Sequence, residues 1–485
     1  MKKFYITTAI DYVNANPHIG HAYQKIIADV LARWHKMQGE DVFFATGTDE
    51  HGLKISRSAS EAKLSEKEFV SKISSNFKDA WKKLDIDYDR FIRTTDSDHE
   101  KAVQKFIEII NKDIYKGFYE GLYCVGCEAF FSESEAKSEN YTCPIHKKKL
   151  ERIKEETYFF KLSKYQKQLL DFYKKNPKCI MPESRKKEII SRVKEGLSDL
   201  SITRTTFSWG IPFPLDKKHV TYVWFDALIN YLTSVKWPSK EYEKYWPADI
   251  HLLGKDNSWF HCVIWPAMLI SAGINPAKTV FVHGFLTVNN QKISKSLGNS
   301  ISPAFLVDKY SADALRYFIL RNVSFGEDGN FSENSLKERY NAELANKLGN
   351  LVSRVVGLCK GSIPKGNSDS SITSELNLSE IENYLNNYAP DRALEKIFEF
   401  IDKCNEYVQQ KQPWKLEGDE KNNILYSLVD SIRIISILLW PFIPSSSEKI
   451  NNQFDFPKPY IKNAIFGLAK STKIKKADIL FKKIE

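Results

Sequence analysis

"NANPHIGHAYQKIIADV" (Asn14–Val30) sets His18 and His21 around Gly20 at the point where a helical pattern begins. The preceding "KFYITTAI" (Lys3–Ile10) is apolar, aromatic and β-branched, the composition of a buried strand. Downstream, Ile26/Ile27, Val30/Leu31 and Trp34 recur at helical spacing until "QGED" from Gln38 breaks the run. Strand, Asn/Pro loop and helix make the opening of a βα unit. In an open α/β sheet, ligands bind at such strand ends. The helix N-terminus there offers unpaired N–H groups and a positive dipole end, which suit phosphate. Gly20, without a Cβ, lets the backbone approach closely. By itself the motif is equally an ordinary helix start with two surface histidines, so the rest of the chain must decide.

The chain has 485 residues, too many for one core, and the expectation is about three domains. Hydrophobic residues make up 42% and aromatic residues 13%, enough for packed interiors. No run of 18 apolar residues predicts a membrane span, and "MKK" leads straight into the first strand without a secretory or transit pattern. The sequence therefore reads as cytoplasmic. Lys and Arg outnumber Asp and Glu by 71 to 61, a net charge of +10 that permits a polyanionic partner and is also met by solvated lysine faces. Seven cysteines, an odd number in a long chain, argue against a disulfide framework.

"DVFFAT" predicts a second strand, ended by the polar loop of "TGTDEHG". Near Ile114 the character changes to "YKGFYEGLYCVGCEAFF", aromatic, Gly-punctuated and Cys-bearing, as in an insertion. The α/β pattern resumes with "VTYVWFDALINYL", "IHLLGKDNSWFHCVIWPAMLI" and "TVFVHGFLTV"; from about Phe331 the chain is mostly helical. The expected fold class is α/β: a Rossmann-type parallel-sheet catalytic domain with a zinc-binding insertion, followed by an all-α domain. The expected divisions are 1–113 and 216–278 for the two halves of the sheet domain, 114–215 for the insertion, 279–332 for a connecting region and 333–485 for the helical domain.

Within the insertion, Cys124, Cys127, Cys143 and His146 form C-x2-C and C-x2-H knuckles separated by 15 residues. That spacing suits a tetrahedral structural zinc, each knuckle presenting two ligands from a tight turn. A closed four-ligand site leaves no open position for catalysis. Cys179, Cys262, Cys359 and Cys404 lie outside the pattern and read as packed thiols.

"KISKS" (Lys292–Ser296) follows a strand and precedes "LGNSISP". Lys292 and Lys295 are compact cations on flexible stems, suited to gripping phosphate. Two phosphate-suited loops on one α/β domain point to nucleotide chemistry at phosphorus. The chain has no GxxxxGK[ST], which excludes a P-loop enzyme, and no GxGxxG after the first strand, which disfavours a dinucleotide.

"HIGH" and "KISKS", in that order and separation, resemble the two signatures of a class I aminoacyl-tRNA synthetase. The chain is similar specifically to the methionyl-tRNA synthetase family, through "ITTAIDYVNANPHIGHAY", "TGTDEHG", "YCVGCE…CPIH", "ITRTTFSWGIPFP", "YVWFDALINYL", "GKDNSWFH", "FVHGFLTVNNQKISKS", "ELANKLGNLVSR" and "QPWKL", nearly the whole length. The resemblance implies ATP-dependent activation of L-methionine, Mg2+ arriving with ATP, then transfer to the 3′ end of tRNA(Met). His18, His21, Lys292, Lys295 and Arg204 would be catalytic. Gly20, Gly254 and Asp256, with His18, His21 and Lys295, would bind ATP. Asp49 would pair with the methionine ammonium, and Ile10, Tyr12, Trp224, Tyr231 and His261 would line its pocket. Asn257 stands where many relatives carry Ile. The helical half resembles an anticodon-binding domain, with Asn350, Arg354 and Trp414 as its reading residues. It also implies homocysteine editing in the same site, because a pocket gains only about 1–3 kcal/mol per methylene-sized group. No further oligonucleotide-binding domain follows, so a monomer is expected.

Synthetases for Leu, Ile or Val would carry a larger insertion, and a Cys enzyme would hold its zinc in the active site. An H-x-G-H nucleotidylyltransferase leaves the insertion and helical half unexplained. A catalytically silent tRNA-binding relative would show damaged phosphate loops, and both loops are intact here.

Overall fold

The computed structural model describes residues 1–125, 129–131, 133–145, 147–293, 298–470 and 472–484. Its centre is a parallel sheet of seven strands among the described residues. The strands are β1 (Lys3–Thr8), β2 (Asp11–Tyr12), β3 (Asp41–Asp49), β4 (Arg90–Arg93), β5 (Ile180–Met181), β6 (Ile250–Gly254) and β7 (Val280–His283). β1 lies between β3 and β6; β4 flanks β3, β7 flanks β6, and β5 adds to β7, every pair parallel. β2 continues beside the end of β3, pairing Asp11 with Thr48 and Tyr12 with Asp49. The apolar run of β1 that predicts a strand buried on both faces is one: Phe4 to Thr8 are all buried.

α1 (Ile19–Met37) packs on this sheet and is buried along almost its whole surface. A surface helix would show one apolar stripe; this one is a core element with charges inside it. Asp29 accepts from Arg33 Nε at 2.8 Å and from Arg316 Nη2 at 2.6 Å. Arg316, on helix Ala312–Asn322, also donates to the carbonyls of Pro441 and Phe442, which follow a helix of the C-terminal half. One buried guanidinium thus joins α1 to the helical region. A second tie runs from Trp34 Nε1 to Asn386 Oδ1 at 2.9 Å.

The 114–215 stretch forms its own antiparallel sheet from Ile114–Cys124, Ala129–Phe131, Glu151–Phe160 and Leu200–Ser201. It also returns β5 to the main sheet, so the stretch is woven into the core as well as standing out from it. Asp113 fixes its root by accepting from Lys164, Tyr165 and Ser271.

Helix Gly418–Leu439 is long and apolar enough to cross a membrane by length and composition, but it is the buried centre of the helical region. Its inward charges have partners: Arg433 Nε donates to Asp430 Oδ1 at 2.7 Å, and Asp430 accepts the Ala469 N–H at 3.0 Å.

Candidate active site

The strand ends converge where α1 begins. His18 is the N-cap residue: its Nδ1 accepts the Gly20 N–H at 3.1 Å, and its own N–H donates to His21 Nδ1 at 3.1 Å. This is a capping box built from two imidazoles in place of the usual Ser and Glu. The rings stack with centroids 3.8 Å apart. Because each Nδ1 accepts, the ring proton of each neutral histidine sits on Nε2. Burial, and for His18 also the neighbouring His21, lowers both pKa values to about 3. Near neutral pH the pair therefore offers two uncharged N–H donors rather than two cations. Beneath them Lys25 Nζ binds Asp11 Oδ1 at 2.7 Å and the Ala9 carbonyl at 3.0 Å, fully inside the protein. Burial pulls Lys25 down and pushes Asp11 up, and the ion pair opposes both shifts.

Gly20 has a steric reason to be glycine. A Cβ there would lie 3.0 Å from the His18 ring and 3.2 Å from Ile293 Cδ1. Ile293 belongs to "KISKS", and Ile19 N–H donates to the Ile301 carbonyl just beyond that loop at 3.0 Å. The two sequence motifs, far apart along the chain, therefore meet at the first turn of α1. The loop is aimed by the hairpin Leu286–Val288/Gln291–Lys292. Its two-residue turn, Asn289-Asn290, has positive φ at both positions (49° and 62°), as asparagine tolerates and a tight primed turn requires. Lys292 ends this hairpin exposed, its Nζ over the Phe285 ring at 5.7 Å. Lys295 lies outside the described residues.

Gly254 ends β6 beside His283, the end of β7. A Cβ on Gly254 would come within 2.8 Å of Asp256 Oδ1, so glycine makes room for that carboxylate.

A second group is a cluster of aromatic side chains. Tyr231 Oη donates to His261 Nε2 at 2.6 Å, while His261 Nδ1–H donates to the Asn257 carbonyl at 2.9 Å. Asn257 thus contributes its main chain. A π-helical turn, Phe260–Ile264, carries His261; such turns recur at functional sites. Burial lowers His261 to about 4, so it stays neutral. Trp224 stacks on Phe260 at 4.2 Å with 9° between planes. Asp49 is buried at the end of β3, next to Tyr12 in the sheet. Tyr12 Oη donates to the His51 carbonyl at 2.9 Å, and Ile10 sits half-buried between β1 and β2.

Arg204 is buried at the root of the insertion. It donates to Ser201 Oγ at 2.8 Å and lies over the Tyr222 ring at 4.4 Å. Tyr222 caps the helix that carries Trp224. Of the zinc candidates, Cys124 and Cys143 are buried thiols, and Cys127 and His146 lie outside the described residues. In the helical region, Asn350 and Arg354 share helix Asn350–Cys359. With its amide turned, Gln409 accepts from Arg354 at 2.9 Å. Gln409 lies on helix Pro390–Lys411, which leads into Trp414, and that indole is 47% exposed.

The motif-based reading passed over the Asp11–Lys25 pair and a buried cluster of His51, His99 and Asp226. The one available signal was an aspartate inside the apolar string "VWFDALINYL", a position that needs a buried partner.

Parallel sheet, histidine-capped helix and returning lysine loop define the catalytic domain of a class I aminoacyl-tRNA synthetase. The family described as tRNA synthetases class I (M) matches residues 4–150 and 136–356, and the anticodon-binding domain of tRNA ligase matches 369–483. The methionine–tRNA ligase of Caldanaerobacter subterraneus subsp. tengcongensis is 45% identical over 100% of this chain and 79% of its own length. That of Rickettsia typhi is 43% identical over 94% of this chain and 93% of its own. Mycobacterium tuberculosis methionyl-tRNA synthetase in complex with methionyl-adenylate matches with a TM-score of 0.95 at 39% identity, covering 99% of this chain and 100% of that one. The chain belongs to the methionyl-tRNA synthetase family and is a methionine–tRNA ligase.

Proposed function

We propose that this ligase works through methionyl-adenylate, with the roles divided among the residues above. A methionine carboxylate oxygen attacks the α-phosphorus of Mg-ATP and pyrophosphate leaves. The 2′-OH of the 3′-terminal adenosine of tRNA(Met) then attacks the carbonyl carbon and AMP leaves. Charge builds on phosphate oxygens in the first step, so fixed donors aimed there lower the barrier. His18 and His21 supply neutral Nε2–H donors at a helix N-terminus, and Gly20 lets the phosphate close on the backbone. Lys292 and Lys295 grip the phosphates from the loop, and Arg204 steadies the reacting end. Asp256 holds the ribose, and Gly254 lies against the ATP. The observation that carries this reading is the junction of the two motifs, Ile293 against Gly20 and Ile301 bound to Ile19.

The buried carboxylate of Asp49 suits the substrate ammonium. Ile10, Tyr12, Trp224, Tyr231 and His261 suit a thioether, for which each aromatic contact is worth about 0.3–1.5 kcal/mol. Homocysteine fits the same walls and cyclises to its thiolactone after activation. Asn350, Arg354 and Trp414 read the anticodon loop, Trp414 by stacking. Cys124 and Cys143, two buried thiols of the insertion, fit a structural Zn2+ completed by Cys127 and His146. Such an ion would close the insertion and take no part in the chemistry. The enzyme acts as a cytoplasmic monomer.

Aminoacylation of a tRNA(Met) transcript, compared with the same transcript bearing another anticodon, tests the assignment. Charging is expected for the first alone; equal charging of both would overturn the anticodon role. Thiolactone formed from homocysteine and ATP is the expected editing product, and its absence would remove that part.

A further inference from the structure

Asp226 is fully buried, in helix Val223–Ala227, between Trp224 and Tyr231 in sequence. Its Oδ2 is 2.8 Å from His51 Nδ1 and its Oδ1 is 3.0 Å from His99 Nε2. His99 is held on its other side by Thr233 Oγ1 at 3.2 Å. His51 lies in the loop that leaves β3 two residues after Asp49, and its carbonyl is the acceptor for Tyr12 Oη. Trp209 braces the same loop: its Nε1 donates to the Glu50 carbonyl at 2.6 Å, and its carbonyl accepts the Gly52 N–H at 3.1 Å. The carboxylate therefore bridges two chain segments that carry residues of the proposed methionine site. One carries Asp49, with Tyr12 paired beside it and bonded to the His51 carbonyl; the other carries Trp224 and leads to Tyr231.

We infer that Asp226 is a positioning residue that, through His51, sets the distance between the ammonium-binding and side-chain-binding walls and so governs affinity for the amino acid. This rests on the reading of the pocket as the methionine site. A buried charged cluster is weak evidence for stability, because apolar side chains of similar volume do as well. Its distinctive effect is directional: a carboxylate bonded at both oxygens fixes two rings in one orientation, and a pocket misplaced by an ångström loses catalytic efficiency by up to about a hundredfold.

The groups facing His51 are Asp226, Glu50, Glu100 and the Trp209 ring, with His99 across the carboxylate. Glu50 is itself engaged by Arg93 Nε at 2.8 Å. Burial works against a charged His51, but Asp226, then Glu50 and Glu100, outweigh it and raise its pKa. Burial would raise Asp226, yet His51 and His99 outweigh that and lower it. Both shifts favour the charged pair, which is lost as pH rises through the raised pKa of His51.

The test is steady-state ATP–pyrophosphate exchange, titrated separately in methionine and in ATP, for the wild type, Asp226→Asn and His51→Gln, from about pH 6 to about pH 9. Both variants are expected to raise KM for methionine by about tenfold while kcat and KM for ATP stay within about twofold. The alkaline fall of kcat/KM for methionine should move to lower pH in Asp226→Asn and vanish in His51→Gln. Unchanged methionine KM and pH profile in folded variants, or a fall confined to kcat, would overturn the proposal. If Asp226→Asn does not fold, His51→Gln, which keeps an amide donor, decides alone. If the wild type activates a different amino acid, the methionine assignment fails, and a raised KM for that amino acid in both variants still supports the positioning role.

Discussion

Past the carboxyl ends of the central strands Lys25 and Asp226 are fully buried and His51 is 4% exposed; at the helical region's candidate RNA surface Trp414 is 47% exposed and Asn350 lies in solvent. The first region holds its charges and rings against one another before any substrate arrives. The second keeps its side chains unconstrained by the core. Chemistry at a phosphorus atom gains from donors that need no reorganisation. Reading an unpaired base gains from a flat ring that a large partner can reach.

Breaking the joint between the two regions should have the largest effect. Arg316→Ala leaves Asp29 a buried charge held by Arg33 and the Asp87 N–H alone, and the expected cost is about 3–5 kcal/mol in chemical denaturation. Both methionine activation and tRNA charging should then fail together at a lower temperature than in the wild type. His21→Ala strikes one region alone. Losing one of two fixed donors should lower kcat of pyrophosphate exchange by about 10²–10³-fold, with tRNA affinity in a filter-binding assay unchanged. Trp414→Ala is the mirror case: tRNA charging should lose about 1–3 kcal/mol in kcat/KM, while exchange without tRNA stays at the wild-type rate. Weakened tRNA binding in His21→Ala, or slowed exchange in Trp414→Ala, would dissolve the distinction between the regions.

How much of this was legible in sequence differs between them as well. The histidine-capped helix start, the strand before it and the glycine between the histidines are local features, so a short string reveals them. The asparagine pair before "KISKS" likewise carries its turn in its own residue types. By contrast β5 is two residues long and pairs with β7 a hundred positions later, and no periodicity marks so short a strand. Lys25 looks like the polar position of an amphipathic helix, and only the covering of both sides of α1 shows that it is buried. The role of Asn257 was unreadable because its main chain, common to all residues, makes the bond to His261. Helix Gly418–Leu439 passes a length-and-composition test for a membrane span, yet the Asp430–Arg433 pair interrupts its apolar run in sequence and, bound to the chain's return, marks it as core.

A further prediction concerns acid. His18, His21 and His261 have pKa values lowered to about 3, 3 and 4, while in the unfolded chain they titrate near 6.5. Between those limits the unfolded chain binds more protons, so stability falls as pH drops below about 6.5 and is unaffected by these groups above it. Thermal melting at steps from neutral to about pH 4 should show this decline, and His21→Asn should flatten it slightly. No acid dependence in either protein would mean that the histidines are solvated rather than held neutral.

The most direct test of the whole account is pyrophosphate exchange with each of the twenty amino acids in turn, without tRNA, on purified protein. Exchange that depends on methionine is the predicted result, and it would agree with the roles proposed for His18, Gly20 and the lysine loop at phosphorus and for Trp224, Tyr231 and His261 in selecting the substrate. Exchange with a different amino acid, or none with any, would contradict it.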